Sequence, residues 1–168
     1  MQTKFLDCGA WTGCSVKLAK KLWPGCECFS FEPDPRNFHE LSKQDTIIIK
    51  KAVWYKDSTT KLYLGLSQSN SLFREKRSGE VNPNNFITVE TIDLSKWILD
   101  NLKINDYIVL KLNVEGAEYD ILEKMHKDGI LHWIDEFFIQ WHWNKINVSK
   151  KRHDKISKSI VWKPWKSM

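Results

Sequence analysis

Five short stretches of this sequence hold residue types that could do chemistry together. The first is Asp7-Cys8-Gly9-Ala10-Trp11-Thr12-Gly13. Gly9 and Gly13 carry no side chain, so backbone there can wrap a ligand closely and turn into a helix. The spacing is D-x-G-x-x-x-G, not the G-x-G-x-x-G that cradles a pyrophosphate on bare amides. An acid beside such a turn suits a ligand with a cationic amine or sulfonium, and S-adenosylmethionine carries both. The second stretch is Glu32-Pro33, 19 residues after Gly13, where a carboxylate can accept both hydroxyls of a ribose. Ala52-Val53, Asn113 with Glu115, and His142 within Gln140-Trp141-His142-Trp143 complete the set. A hydroxyl nucleophile sheds its proton as it attacks a methyl, and a histidine of suitable pKa is a common base for that step. A histidine in so aromatic a run can equally be structural.

These residues act together only if the fold gathers them, and the hydrophobic pattern describes such a fold. Phe5-Leu6 leads as a strand into Asp7. Cys14 to Trp23 places Val16, Leu18, Ala19 and Leu22 at helical spacing and is stopped by Pro24-Gly25. Cys28 to Phe31 is a second strand ending at Glu32, Pro35 to Ser42 a helix, and Thr46 to Trp54 a third strand. Residues 60–66 alternate as an added strand, and the polar stretch Ser67 to Asn85 reads as a mobile loop over the ligand, with Ser71 and Leu72 as its contacts. Phe86 to Val89 is a strand, Leu94 to Leu102 a helix, and Tyr107 to Val114 a nearly continuous apolar strand. Gly116-Ala117 then opens a helix carrying Ile121, Leu122 and Met125, and Ile134 to Trp143 is the fifth strand of the main sheet. Such alternation predicts an α/β fold, a Rossmann-like doubly wound, mostly parallel sheet covered on both faces. Ligands bind such sheets outside the carboxyl ends of the strands, where every residue singled out above falls.

Composition fits that expectation. With 168 residues, 42% apolar and 28% charged, the chain reads as one globular domain, 1–168, with a core over 3–143 and a basic segment at 145–168. No apolar run is long enough to span a membrane, and no signal peptide opens the chain. The 4 Cys at 8, 14, 26 and 28 are badly placed for disulfides, which predicts a cytoplasmic protein. The net charge of +5 is uneven: residues 145–168 hold eight basic residues against Asp154, while the remainder has 18 basic against 20 acidic groups. The basic end reads as a solvated surface helix, or as a contact for an anionic partner such as nucleic acid.

At this point the sequence resembles a family. Asp7 to Gly13, Phe31-Glu32-Pro33-Asp34-Pro35, Ser69-Asn70-Ser71-Leu72, Val89 to Leu94 and Leu110 to Glu118 are together similar, in order and spacing, to FkbM-type S-adenosylmethionine-dependent methyltransferases. The resemblance covers about 3–143. It implies a seven-stranded methyltransferase sheet and O-methylation, often of sugar hydroxyls in glycans. Two positions depart from it, since the family usually has Asn where Trp11 stands and Asp where Asn113 stands. The chain after Trp143 is also short for the antiparallel hairpin that closes such a sheet, so the edge is expected to shrink to one strand near Ile160-Val161-Trp162.

The resulting expectation is a cofactor site of Asp7, Cys8, Gly9, Ala10, Gly13, Glu32, Pro33, Ala52, Val53, Ser71 and Asn113, with His142, Glu115 and Asn113 as catalytic residues and no metal. The acceptor is a small molecule or glycan. Lys111, which interrupts an apolar strand, reads as paired with a carboxylate; Glu118 reads as a first-turn helix acid; Cys26 and Cys28 lack the second pair a metal site needs. Two other functions remain open: a nucleic-acid methyltransferase using the basic end, and an adenosyl-binding domain without catalysis.

Overall fold

The computed structural model describes residues 1–66 and 69–165. Ser67 and Gln68 of the expected loop, and Lys166 of the basic segment, lie outside the described residues. The chain runs β1 (Thr3–Cys8), α1 (Cys14–Leu22), β2 (Glu27–Phe31), a 3-10 turn with the single-turn α2 (Phe38–Leu41), β3 (Ile47–Ile49), β4 (Ala52–Trp54), β5 (Ser58–Tyr63) and β6 (Phe86–Asp93). It continues through α3 (Leu94–Asn101), β7 (Tyr107–Leu112), α4 (Glu118–Lys127), β8 (Glu136–Ile139), α5 (Lys150–Ser157) and β9 (Trp162–Lys163).

Six strands form a parallel sheet in the order β3-β2-β1-β7-β8-β9. Alternate residues serve its two faces. Leu6, Leu110 and Leu112 pack with Leu94 and Ile98 of α3 and with Ile121, Leu122 and Met125 of α4. Phe5, Cys28 and Val109 pack on the opposite side with Val16 and Ala19 of α1. The sheet is therefore doubly wound and Rossmann-like, with helices on both faces as the pattern predicts. Each of these fully buried Leu, Ile or Phe side chains contributes about 1.5–3 kcal/mol.

Four expectations about the elements need correction. Thr46 to Trp54 is two strands, because the chain turns at Lys50-Lys51, where the Lys51 amide donates to the Ile49 carbonyl at 2.8 Å. β3 stays in the main sheet, while β4 joins β6 and β5 in a separate three-stranded sheet. The run to Trp143 stops being a strand at Ile139, since its neighbour β7 ends at Leu112, the partner of Ile139, and leaves no ladder beyond. Six strands, not the seven the resemblance implies, make the main sheet among the described residues; its edge is the single strand expected near Trp162, at Trp162–Lys163, and it runs parallel to β8.

The irregular stretch from residue 69 to 85 is pinned against the body. Tyr63 and Ser71 exchange both backbone hydrogen bonds, at 2.8 and 3.0 Å, and the Asn70 amide group donates to Asp34 Oδ2 at 2.6 Å.

Candidate active site

Three strand ends build the site. Cys8 is in register with Phe31 on one side and Leu112 on the other, so Gly9, Glu32 and Asn113 emerge together from the carboxyl edge. The strand order reverses between β1 and β7, which is where open parallel sheets bind their ligands.

Gly9 has φ of 81°, and a Cβ there would lie 2.0 Å from the Asn113 carbonyl oxygen. Only glycine fits. Trp11 (φ 50°) and Glu115 (φ 56°) take the left-handed region without being glycine, a strain that clusters at functional sites. The Trp11 N–H donates to Glu32 Oε2 at 2.8 Å, and the Ser71 hydroxyl donates to the Glu115 carbonyl at 2.7 Å. Those two bonds hold the strained residues in place.

Two cavities meet at this wall. The narrow one, about 60 Å³, lies among Phe31, Ala52, Val53 and Leu72, with Pro33, Glu32 and Asn113 also on its lining. The broad one, about 710 Å³, is lined by Ala10, Gln140 and His142 and by Lys17, Lys21 and Lys145. Gly9, Trp11, Asn113 and Glu115 border both.

In the narrow cavity, Glu32 is buried and also accepts from the Asp34 amide at 2.8 Å and from Asn37 at 3.2 Å. Burial pushes its carboxyl up to about 7, although these hydrogen bonds pull the other way. Asn113 Oδ1 is buried with no hydrogen-bond partner among the described residues and is free to accept a donor from a ligand. A cofactor with a diol and a flat ring could be held here, its diol by Glu32 and its ring between Phe31, Val53 and Leu72.

A chain of four charged groups backs the broad cavity. His142 is buried, with Nδ1 at 2.8 Å from Glu118 Oε1 and Nε2 at 3.3 Å from Glu115 Oε1. Lys76, also buried, reaches Glu115 Oε2 at 2.5 Å. Glu118 accepts the Val114 and Gly116 amides at 3.1 Å as well, so it closes the turn before α4. Burial opposes charge on the His142 ring, but the hydrogen bonds and charges of Glu115 and Glu118 prevail and raise its pKa to about 9. Burial likewise disfavours the Glu115 carboxylate, yet His142 and Lys76 bring its pKa down to about 2. With a carboxylate facing each nitrogen, the ring is placed to donate from both, an arrangement that differs from the free imidazole base expected of His142.

Other expected site residues stand elsewhere. Asp7 lines neither cavity; it is wholly buried and receives Lys111 Nζ at 2.7 Å from the registered position of β7. Lys111 is thus the paired lysine the sequence implied, and Asp7 is its carboxylate. Cys8 points into the core beneath α3 and α4, where burial drives its thiol well upward. A Cβ on Gly13 would meet Gln44 at 2.6 Å and Leu41 at 2.9 Å, so this glycine seats α1 against the α2 region and does not line a cavity. Ser71 is buried and supports Glu115 from behind. Trp141 packs against Tyr119, His153 and Trp162, and Trp143 stacks on His153, as core aromatics do. Cys26 Sγ and Cys28 Sγ lie 3.6 Å apart, and no cluster of ligating side chains that could hold a metal occurs among the described residues. Lys76 was not singled out, since it reads as an ordinary residue of a polar loop, and Asn70 entered only within the Ser69-Asn70-Ser71-Leu72 segment of the resemblance.

Three of the seven described basic residues of the C-terminal end are paired within the chain. Lys150 pairs with Asp154, Arg152 with Asp120 and Glu123, and Lys163 with Glu136. No helix is long and apolar enough to cross a membrane among the described residues.

No curated protein and no solved structure matches the chain. The family model of the methyltransferase FkbM domain matches residues 7–156.

Proposed function

The chain belongs to the FkbM methyltransferase family, and from that premise we propose that it transfers a methyl group from S-adenosylmethionine to a hydroxyl oxygen, that of a sugar or glycan. The observation that carries the reading is the wall of Gly9, Trp11, Asn113 and Glu115 shared by two cavities, one with a carboxylate and apolar walls, the other broad and polar. A donor and an acceptor meeting across it would have their reacting ends at one place, and alignment of that kind supplies much of the acceleration in a displacement.

When bound, S-adenosylmethionine supplies an electrophilic methyl on a sulfonium. The narrow cavity has the groups to receive it: Glu32 for the ribose hydroxyls, the orphaned Asn113 Oδ1 for a donor, and Phe31, Val53 and Leu72 for the adenine. Ligand pockets usually measure about 300–1,000 Å³, so the cavity must widen from about 60 Å³, and Asn70 and Leu72 belong to one of the irregular segments of its wall.

The residues of this chain then orient the acceptor and receive a proton. Glu115, partly open to the broad cavity, accepts the acceptor hydroxyl. His142 and Lys76 fix that carboxylate and offset its charge. An alcohol oxygen becomes strongly acidic once alkylated, so a carboxylate with a pKa of about 2 can take its proton without a stronger base.

The test is incubation with S-adenosylmethionine bearing an isotopically labelled methyl and a panel of sugars and glycans. The expected result is label on an acceptor oxygen with equimolar S-adenosylhomocysteine. Label on nitrogen or on nucleic acid would overturn the hydroxyl reading, and calorimetry without any S-adenosylmethionine binding would overturn the cofactor reading.

A further inference from the structure

We infer that the broad cavity takes an acceptor carrying an oxyanion, a phosphate or carboxylate on the hydroxylated molecule; this rests on the methyltransferase reading and narrows its substrate class. Lys17 and Lys21 from α1 and Lys145 from the turn after β8 converge on this cavity. None of the three has a carboxylate within ion-pair distance among the described residues, whereas Lys4, Lys20, Lys51, Lys76 and Lys111 all do.

Acids at the cavity do not cancel these lysines. The acid on its lining is Glu115, already matched from behind by Lys76 and His142. Lys111 also lines the cavity, and Asp7 neutralises it. Three positive charges are thus left over, in a body whose first 144 residues have more acidic than basic groups. A concave site lined by one sign of charge concentrates ligands of the opposite sign.

The remaining lining suits a compact sugar better than a polymer of bases. Trp165 offers an aromatic surface, its own ring packed 5.5 Å from Phe5 and 5.1 Å from Phe138. Gln140 adds an amide for hydroxyls. Of the basic residues after Lys145, Arg152 and Lys163 are held by acids of α4 and β8. Lys151, Lys155 and Lys158 have no carboxylate within ion-pair distance among the described residues, which makes an oligonucleotide the ligand to compare with the sugars.

The experiment is a titration of the full chain, saturated with S-adenosylhomocysteine, with glucose 6-phosphate, glucuronate and neutral glucose, read by backbone amide shifts at positions 17, 21 and 145. Both acidic sugars should bind at least about tenfold more tightly than glucose, a factor equivalent to 1.4 kcal/mol. The variant Lys17→Ser/Lys21→Ser/Lys145→Ser should lose that preference while keeping its affinity for S-adenosylhomocysteine. Comparison of the phosphate with the carboxylate says which oxyanion the cavity prefers. Equal affinity for glucose, no saturable shift with either acidic sugar, or an unchanged preference in the triple variant would overturn the proposal. Tighter binding of a single-stranded oligonucleotide than of both sugars would overturn it too, in favour of nucleic acid. S-adenosylhomocysteine binding is measured first by calorimetry. Its absence would count against the cofactor reading alone, because the sugar titration can be run without it.

Discussion

Glu115 accepts Lys76 Nζ on one carboxylate oxygen at 2.5 Å and faces His142 Nε2 on the other at 3.3 Å. One of these cations comes from the irregular 69–85 stretch and the other from the chain after β8. A single side chain therefore ties the cover of the site to its floor.

Lys76→Met should expose that dependence. Breaking a buried ion pair leaves a charge uncompensated and costs about 3–5 kcal/mol; Glu115 keeps His142, so the lower end, about 3 kcal/mol, is expected. Hydrogen exchange should quicken over residues 69–79. A variant with the wild-type denaturation midpoint and unchanged exchange there would contradict the coupling.

The pH dependence of stability follows from the same groups. His142 has its pKa raised from 6.5 to about 9, so its contribution is complete below 6.5 and is lost as pH rises through about 9. Glu115 is lowered from 4.5 to about 2, so its contribution is complete above 4.5 and is lost as pH falls through about 2. Stability from this cluster should plateau between those limits, and His142→Gln should remove the alkaline decline. A His142 resonance, identified by its loss in His142→Gln, that titrated near 6.5 in the wild type would refute the assignment.

On the proposed ribose assignment, Glu32 should set a different pH dependence, that of cofactor affinity. Its carboxyl sits at about 7, and hydroxyl donors favour the ionised form, so affinity for S-adenosylhomocysteine should fall as pH drops through 7. Glu32→Gln should bind more weakly by about 1.5–3 kcal/mol, the range for hydrogen bonds to a charged group. Its affinity should no longer vary with pH. Calorimetry at several pH values decides, and a flat wild-type profile would count against the ribose assignment.

Gly9→Ala tests the wall itself. Left-handed backbone costs a non-glycine residue about 1–2 kcal/mol, and Gly25→Ala, with φ of 79° and nothing within 4 Å of its Cβ, should cost only that. At Gly9 the new methyl meets backbone at 2.0 Å, so the loss should exceed about 3 kcal/mol. Similar denaturation midpoints for the two variants would mean that the wall gives way more easily than its geometry implies.

The strand ends were legible in the sequence because parallel sheets place chemistry there by rule: Gly9, Glu32 and Asn113 follow continuous apolar runs, and register does the rest. Asp7 misled because its pairing with Lys111 crosses from one strand to the next, 104 residues away in sequence. Lys76 was hidden for a similar reason. Nothing local distinguishes a lysine that will be buried against Glu115 from its solvated neighbours Arg74 and Arg77. His142 was found by type but not by charge state, which depends on two acids 24 or more residues upstream. The division of Thr46 to Trp54 between two sheets also had no local sign beyond its two lysines.

At the partition between the two cavities Gly9 lies against the Asn113 carbonyl, with no room for a methyl group. Lys17, Lys21 and Lys145 lie on the far side of that partition, on an exposed helix face and a turn. If the broad cavity takes the acceptor, as inferred above, changes in acceptor preference can accumulate there, or be engineered there, one side chain at a time, without touching the lining of the narrow cavity.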